Sequence, residues 1–165
     1  YLDPPVVGSG LRRECYYMGK KELFKVPILA PLIRRVGCFP VDRDHPETRV
    51  IKFAVGLLKA GNLLCIFPEG GRSPDGELMV EEAGIGPALI ANRAGVPIIP
   101  AYIEGAFKSY PMGGKVPRRA DISITYGKPI DTARPGGAKA SKAQLQEITN
   151  RLMVEIARLR DERAG

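Results

Sequence analysis

Five apolar residues in a row, LLCIF from Leu63 to Phe67, run straight into a proline, an acid, two glycines and an arginine, so that Phe67 to Ser73 reads FPEGGRS. An apolar run of this length closed by turn residues has the pattern of a buried parallel strand, and it is the expected central strand of the fold. A strand that ends in such a turn delivers polar groups to the carboxyl edge of a sheet, where α/β proteins hold their ligands. Gly70 and Gly71 let the backbone approach a ligand closely, and Arg72 offers a planar fork matched to phosphate or carboxylate. Taken alone, EGGR also reads as a tight surface turn with solvated charges, so the rest of the chain has to decide.

On either side of this stretch, strand and helix patterns alternate. Asp3 before Pro4 and Pro5 is a helix start, closed by Gly8 and Gly10. CYYM (Cys15 to Met18) is a first strand, followed by a basic turn at Gly19, Lys20 and Lys21. ELFKVPILAPLIRRV (Glu22 to Val36) is apolar but carries Lys25, Arg34 and Arg35, and Pro27 and Pro31 forbid one regular helix. The expectation is a short helical turn, a break, and a second helix starting near Leu29 to Pro31. This stretch reads either as a core-facing helical pair or as a basic, apolar surface for a membrane interface. CFPVDR (Cys38 to Arg43) is a short strand into a charged turn. Pro46 and Glu47 then open a helix with Val50, Phe53, Ala54, Leu57 and Leu58 at helical spacing and Gly61 as its terminator.

Beyond FPEGGRS, Gly84 to Ala94 is helical, VPIIPAYI (Val96 to Ile103) is another buried strand, and DISITYG (Asp121 to Gly127) alternates as an edge strand does. Residues 135–140 read as a linker to a terminal helix over 141–163. That helix opens with a Ser141/Gln144 capping box and carries the apolar stripe Leu145, Ile148, Leu152, Ile156 and Leu159. The fold class is therefore α/β, a mostly parallel sheet flanked by helices, in a single domain over residues 1–165.

Composition narrows the function classes. With 25 Lys and Arg against 18 Asp and Glu, the net charge of +7 suits an anionic partner as well as general solubility. Nucleic acid is disfavoured because no RNP-like aromatic and basic platform occurs and there is no Trp. Cys15, Cys38 and Cys65 are odd in number, dispersed and set among apolar residues, which reads as reduced buried thiols of a cytosolic protein. One histidine and no C-x-x-C set a metal site aside. No run of about 18 apolar residues marks a transmembrane helix, and no signal peptide pattern occurs. The opening YLDPPVV lacks an initiator Met, so the chain is expected to be part of something longer.

YLDPP at the start, GKKELFKVP (Gly19 to Pro27), GCFPVDR (Gly37 to Arg43), FPEGGRS and VPIIPAYI occur in an order and spacing that resemble the glycerolipid acyltransferases, which make phosphatidic acid from 1-acyl-glycerol-3-phosphate. The resemblance covers Tyr1 to about Pro129 and implies a glycerolipid-acyltransferase-like fold. In that family the first block is N-H-x-S-x-L-D-P, whose H-x-x-x-x-D supplies catalysis. Asp3 matches the aspartate, and the histidine corresponds to the third residue upstream of Tyr1. His45 does not match the catalytic position and reads as an exposed loop or helix-start residue. The resemblance further implies that Arg43 and Arg72 hold the acceptor phosphate with Lys20 as a third cation, Lys21 being the alternative to Lys20. Glu69, Gly70 and Gly71 shape the acceptor site. It implies no cofactor and no metal, with acyl-CoA or acyl carrier protein as co-substrate. The expected partners are a lysophospholipid acceptor, the acyl donor and the cytoplasmic face of a membrane, held peripherally or by an anchor elsewhere.

Two departures bear on acceptor preference. Gly71 stands where E-G-T-R has its Thr, and EEAG (Glu81 to Gly84) stands where many members have F-K-P-G. A non-catalytic module for anionic headgroups on the same fold is the alternative from another class. A nucleotide- or phosphosugar-binding enzyme has only Gly84-Ile85-Gly86 in its favour, and no G-x-S-x-G elbow supports a serine hydrolase.

Overall fold

The computed structural model of the chain describes residues 13–42, 48–70, 83–109, 119–133 and 139–164. They form two compact units that meet in sequence between Ile66 and Phe67. The expected helix start at Asp3 and the Pro46–Glu47 start lie outside the described residues.

The first unit is a three-stranded parallel sheet with helices. Strand β1 (Cys15–Lys20) is extended by two residues beyond the expected CYYM. A 3-10 helix (Lys21–Lys25) follows, and after Pro27 comes α1 (Leu29–Arg35). This is the expected turn, break and second helix. Pro31 falls in the first turn of α1, where a missing N–H leaves no intrahelical bond unmade. Strand β2 (Cys38–Val41), helix α2 (Thr48–Lys59) and strand β3 (Leu63–Cys65) complete the unit.

Gly61 closes α2 as expected. Its N–H bonds Leu58 O at 3.1 Å and the Asn62 N–H bonds Leu57 O at 3.2 Å, the paired bonds of a Schellman motif. The sheet order is β2-β1-β3, so β1 is its middle strand, and the LLCIF stretch expected to be central supplies the short β3 beside it. Tyr17 of β1 and Ala54 of α2 are buried.

The second unit starts with the turn after β3 and contains α3 (Gly86–Ala94), β4 (Ala101–Glu104), α4 (Ala106–Ser109), β5 (Ser123–Tyr126) and α5 (Lys142–Ala164). Strands β4 and β5 pair antiparallel. The long strand expected over Val96 to Ile103 is cut short: Ile98 makes only an isolated bridge to Ile130, and the regular ladder begins at Ala101. Pro97 and Pro100 have no N–H to donate, and Ile99 between them is exposed, so the stretch is neither continuous nor fully buried.

The core of this unit is Ile130 with Leu152, Met153 and Ile156 of α5, against which Ala83, Ile98 and Tyr102 pack. Ser141 and Gln144 make the expected capping box, the Ser141 N–H donating to Gln144 Oε1 at 2.9 Å and the Gln144 N–H to Ser141 Oγ at 3.4 Å. The stripe expected on this helix docks as a face. Met153 and Thr149 are buried with it, Thr149 because its hydroxyl bonds Leu145 O at 2.9 Å within the helix.

Asn92 ties α3 to its surroundings. Its Nδ2 donates to Thr132 O at 2.7 Å and its Oδ1 accepts from the Ala140 N–H at 3.1 Å, while Thr132 Oγ1 donates to Val96 O at 2.6 Å.

Gly105, after β4, has φ +83°, and a Cβ there would lie 2.0 Å from the Asp121 carbonyl oxygen. Gly105→Ala should therefore destabilise by about 1–3 kcal/mol, because both the backbone conformation and the backbone contact oppose it. Gly56→Ala, in the exposed face of α2 with no atom within 4 Å of a Cβ, should stabilise by roughly 0.5–1 kcal/mol. Urea unfolding of the two variants beside the parent checks both signs.

Candidate active site

Because β1, β2 and β3 are parallel, Lys20, Val41 and Cys65 end their strands on one edge of the sheet. The register pairs Lys20 with Val41, so the last residues of β1 and β2 are neighbours. Arg43 follows Val41 by two positions in sequence.

The two lysines after the β1 core play different parts. Lys21 forms an ion pair with Asp42, which follows β2 directly. Lys20 is exposed and has no ion-pair partner among the described residues. An ammonium already held by a carboxylate is a poorer site for a further anion.

Gly19 leaves room over the sheet for the side chains of Cys38 and Phe24. It is buried, and a Cβ on it would come within 2.5 Å of Cys38 Sγ and 3.2 Å of the Phe24 ring. Burial pushes the Cys38 thiol above its ordinary pKa, which keeps it protonated and makes it a packing group rather than a nucleophile. All three cysteines are free and half-buried, more open than the buried thiols expected. Phe39 of β2 meets Phe53 of α2 edge to face, with centroids 5.0 Å apart, and this contact ties β2 to that helix.

The chain leaving β3 enters a turn from Phe67 to Gly70. The Gly70 N–H bonds Phe67 O at 3.1 Å, and Gly70 has φ +64°. A side chain at this position would strain the backbone, so the glycine expected for close approach is also required by the turn itself. Farther along the chain, the Gly84 N–H bonds Pro68 O at 3.2 Å. Glu69 sits half-buried in the turn.

Of the residues expected to form the site, Lys20, Glu69 and Gly70 are therefore described, whereas Asp3, Arg43, Gly71 and Arg72 lie outside the described residues, as does His45. Among the described residues no group of three or more His, Cys, Asp or Glu side chains is placed to hold a metal ion.

Two residues of this edge were missed from the sequence. Asp42 had a signal, since an acid directly after one strand and a lysine directly after its neighbour meet once the strands pair in register. Gly19 had none, because its role depends on Cys38 and Phe24 arriving from elsewhere in the chain.

Comparison with known proteins decides the family, since the family model described as Acyltransferase matches residues 1–104. The chain belongs to the acyltransferase family. Among its relatives, 1-acyl-sn-glycerol-3-phosphate acyltransferase of Streptococcus pneumoniae is 31% identical over 98% of the chain and 58% of its own length. The Bacillus subtilis protein of the same name is 29% identical over 98% of the chain and 77% of its own length.

The crystal structure of the 1-acyl-sn-glycerophosphate (LPA) acyltransferase PlsC from Thermotoga maritima shares the fold. Its TM-score is 0.64 at 24% identity, covering 92% of this chain and 58% of that one. The chain thus spans little more than half the length of the pneumococcal relative and of the Thermotoga protein. The acyltransferase family match begins at Tyr1 and takes in the GCFPVDR and FPEGGRS blocks, which carry Arg43, Glu69 and Arg72.

The Lys21–Asp42 pair lies at the protein surface, so it should contribute little to stability. A double-mutant cycle with Lys21→Ala and Asp42→Ala, measured by urea unfolding, should give a coupling of about 0.2–1 kcal/mol that shrinks as salt is added.

Proposed function

We propose that this chain carries the acyltransferase core of a 1-acylglycerol-3-phosphate O-acyltransferase. It moves a fatty acyl group from acyl-CoA or acyl carrier protein to the free hydroxyl of 1-acyl-glycerol-3-phosphate and gives phosphatidic acid. The observation that carries this reading is the shared carboxyl edge of β1 and β2. Lys20 stands there beside Val41, with Arg43 two residues farther along the chain. The names of the relatives support the same substrates.

In this reading Lys20, Arg43 and Arg72 hold the acceptor phosphate, and Glu69, Gly70 and Gly71 shape the acceptor site. A hydroxyl is a weak nucleophile at neutral pH and needs a base to take its proton as it attacks the thioester. Asp3 orients a histidine contributed by the segment that precedes Tyr1 in the family motif and stabilises its charged form. The new C–O bond forms as the C–S bond breaks, and the proton taken from the hydroxyl ends on the departing thiol. The substrate brings its own nucleophile and the donor its own activated acyl group, so the reaction calls for neither a cofactor nor a metal. Both substrates are amphiphiles, which suits an enzyme at a membrane surface; in this reading it is the cytoplasmic face, with the enzyme peripheral or anchored by a further segment.

A paired assay tests the catalytic reading. The 165-residue chain and a version extended upstream through the N-H-x-S segment are compared for release of free thiol from acyl-CoA with lysophosphatidic acid present. The extended form should be faster by on the order of 10²–10⁴, the contribution of a general base. Equal activity in the two forms would remove Asp3 and its partner from catalysis, and activity in neither would favour a headgroup-binding module. In the extended form, Arg72→Ala should weaken acceptor affinity by roughly one to two decades, the loss of one charge-assisted bond to a phosphate.

A further inference from the structure

The segment from the 3-10 helix through α1 is apolar on two sides. Leu29, Ala30 and Ile33 are half-buried, at successive positions on one side of α1. Next to them and turned outward stand Ile28 and Leu32, 88% and 61% exposed, flanked by Val26 and Val36 at 46% and 44%. Ile28, Leu32 and Val36 follow one another at i, i+4 and i+8 and so form one outward stripe. No residue of either helix is buried. The inward side accounts for packing and leaves the outward one unexplained.

Charge says what covers it. Between Glu22 and Asp42 the sequence contains no acid, while Lys25, Arg34 and Arg35 are all exposed and lie close to the stripe in sequence. Arg34 also lies over the Phe24 ring, 5.7 Å from its centroid, which steadies its guanidinium beside the apolar surface. A second copy of the chain is a poor cover. A two-fold contact would set the same three cations against themselves. A helix of 7 residues is far too short to cross a bilayer, and no helix among the described residues is long and apolar enough to do so.

We propose that α1 lies flat on an anionic phospholipid surface, with Ile28 and Leu32 dipping into the boundary between headgroups and acyl chains and Lys25, Arg34 and Arg35 on the phosphates. This rests on the reading that the substrates come from a membrane, and it names the element that meets the membrane. The stripe supplies the apolar area and the cations select the charge of the surface, as in other interfacial helices.

The chain has no Trp, so Ile28→Trp installs a single reporter, and Glu147→Trp on the exposed side of α5 is its control. Vesicles are made of phosphatidylcholine alone or with an equal part of phosphatidylglycerol. Tryptophan at position 28 should shift its emission to the blue on the anionic vesicles only, less so in high salt, while the control does not move. Each cation replaced by Gln should weaken co-sedimentation with anionic vesicles roughly fivefold. Ile28→Ser with Leu32→Ser should abolish it, with the thermal midpoint unchanged because both side chains are exposed.

A blue shift at position 28 without vesicles that grows with protein concentration would overturn the proposal in favour of self-association. Equal shifts on neutral and anionic vesicles would overturn the charge selection. Undiminished vesicle binding by the double Ser variant would remove α1 as the contact while sparing the membrane reading. Absence of vesicle binding by the parent chain would overturn the proposal for α1 and leave membrane attachment to an anchor elsewhere, whereas the acyl-transfer assay tests the proposed function separately.

Discussion

The parallel pairing of β1 with β2 and β3 is the constraint on which the rest of the first unit depends. Parallel strands end on the same side, so residues distant in sequence meet at one edge without any contact between the segments that separate them. The backbone ladder brings Lys20 beside Val41, and the same register brings Lys21 to Asp42. On the face of this ladder Cys38 Sγ and the Phe24 ring occupy the space a side chain at Gly19 would take. A basic edge is therefore a product of backbone geometry first and of charge second.

The second unit is organised differently. Its centre is the buried face of α5 against Ile130, with the stretch through Ile98 and Tyr102 laid over it. Apolar packing of this kind is tolerant of exact partners, so something directional has to fix the connections. Asn92 does so, using both halves of its amide to hold the segments at Thr132 and Ala140, while the Thr132 hydroxyl holds Val96. These bonds also satisfy backbone groups that irregular chain would otherwise leave without partners.

The apolar segment around α1 shows how local pattern and tertiary context divide the work. Two prolines spaced four apart announce a broken helix, and a broken helix is what forms, since the backbone chemistry of proline acts within a turn or two. Which side of that helix faces protein depends on where β1 and β2 lie, and no pattern in the fifteen residues from Glu22 to Val36 encodes it. The same limit explains β4. An apolar run announces a buried strand over Val96 to Ile103, yet Pro97 and Pro100 leave the ladder without donors, so pairing starts only at Ala101.

From the sequence by itself came the α/β class, the broken helix before β2, the Schellman end of α2 at Gly61, the capping box of α5 and the order of motif blocks that marks the acyltransferase family. Each of these is written in neighbouring residues, because caps, turns and helix periodicity act over a few positions. Only tertiary structure decided that β1 is the middle strand of its sheet, that Lys21 is held by Asp42 while Lys20 stays exposed, and that Met153 and Thr149 join the buried face of α5. It also decided that Ile28 and Leu32 point away from the protein. Register, burial and ion pairing join residues across long stretches of chain, so they exist only once the strands and helices have met.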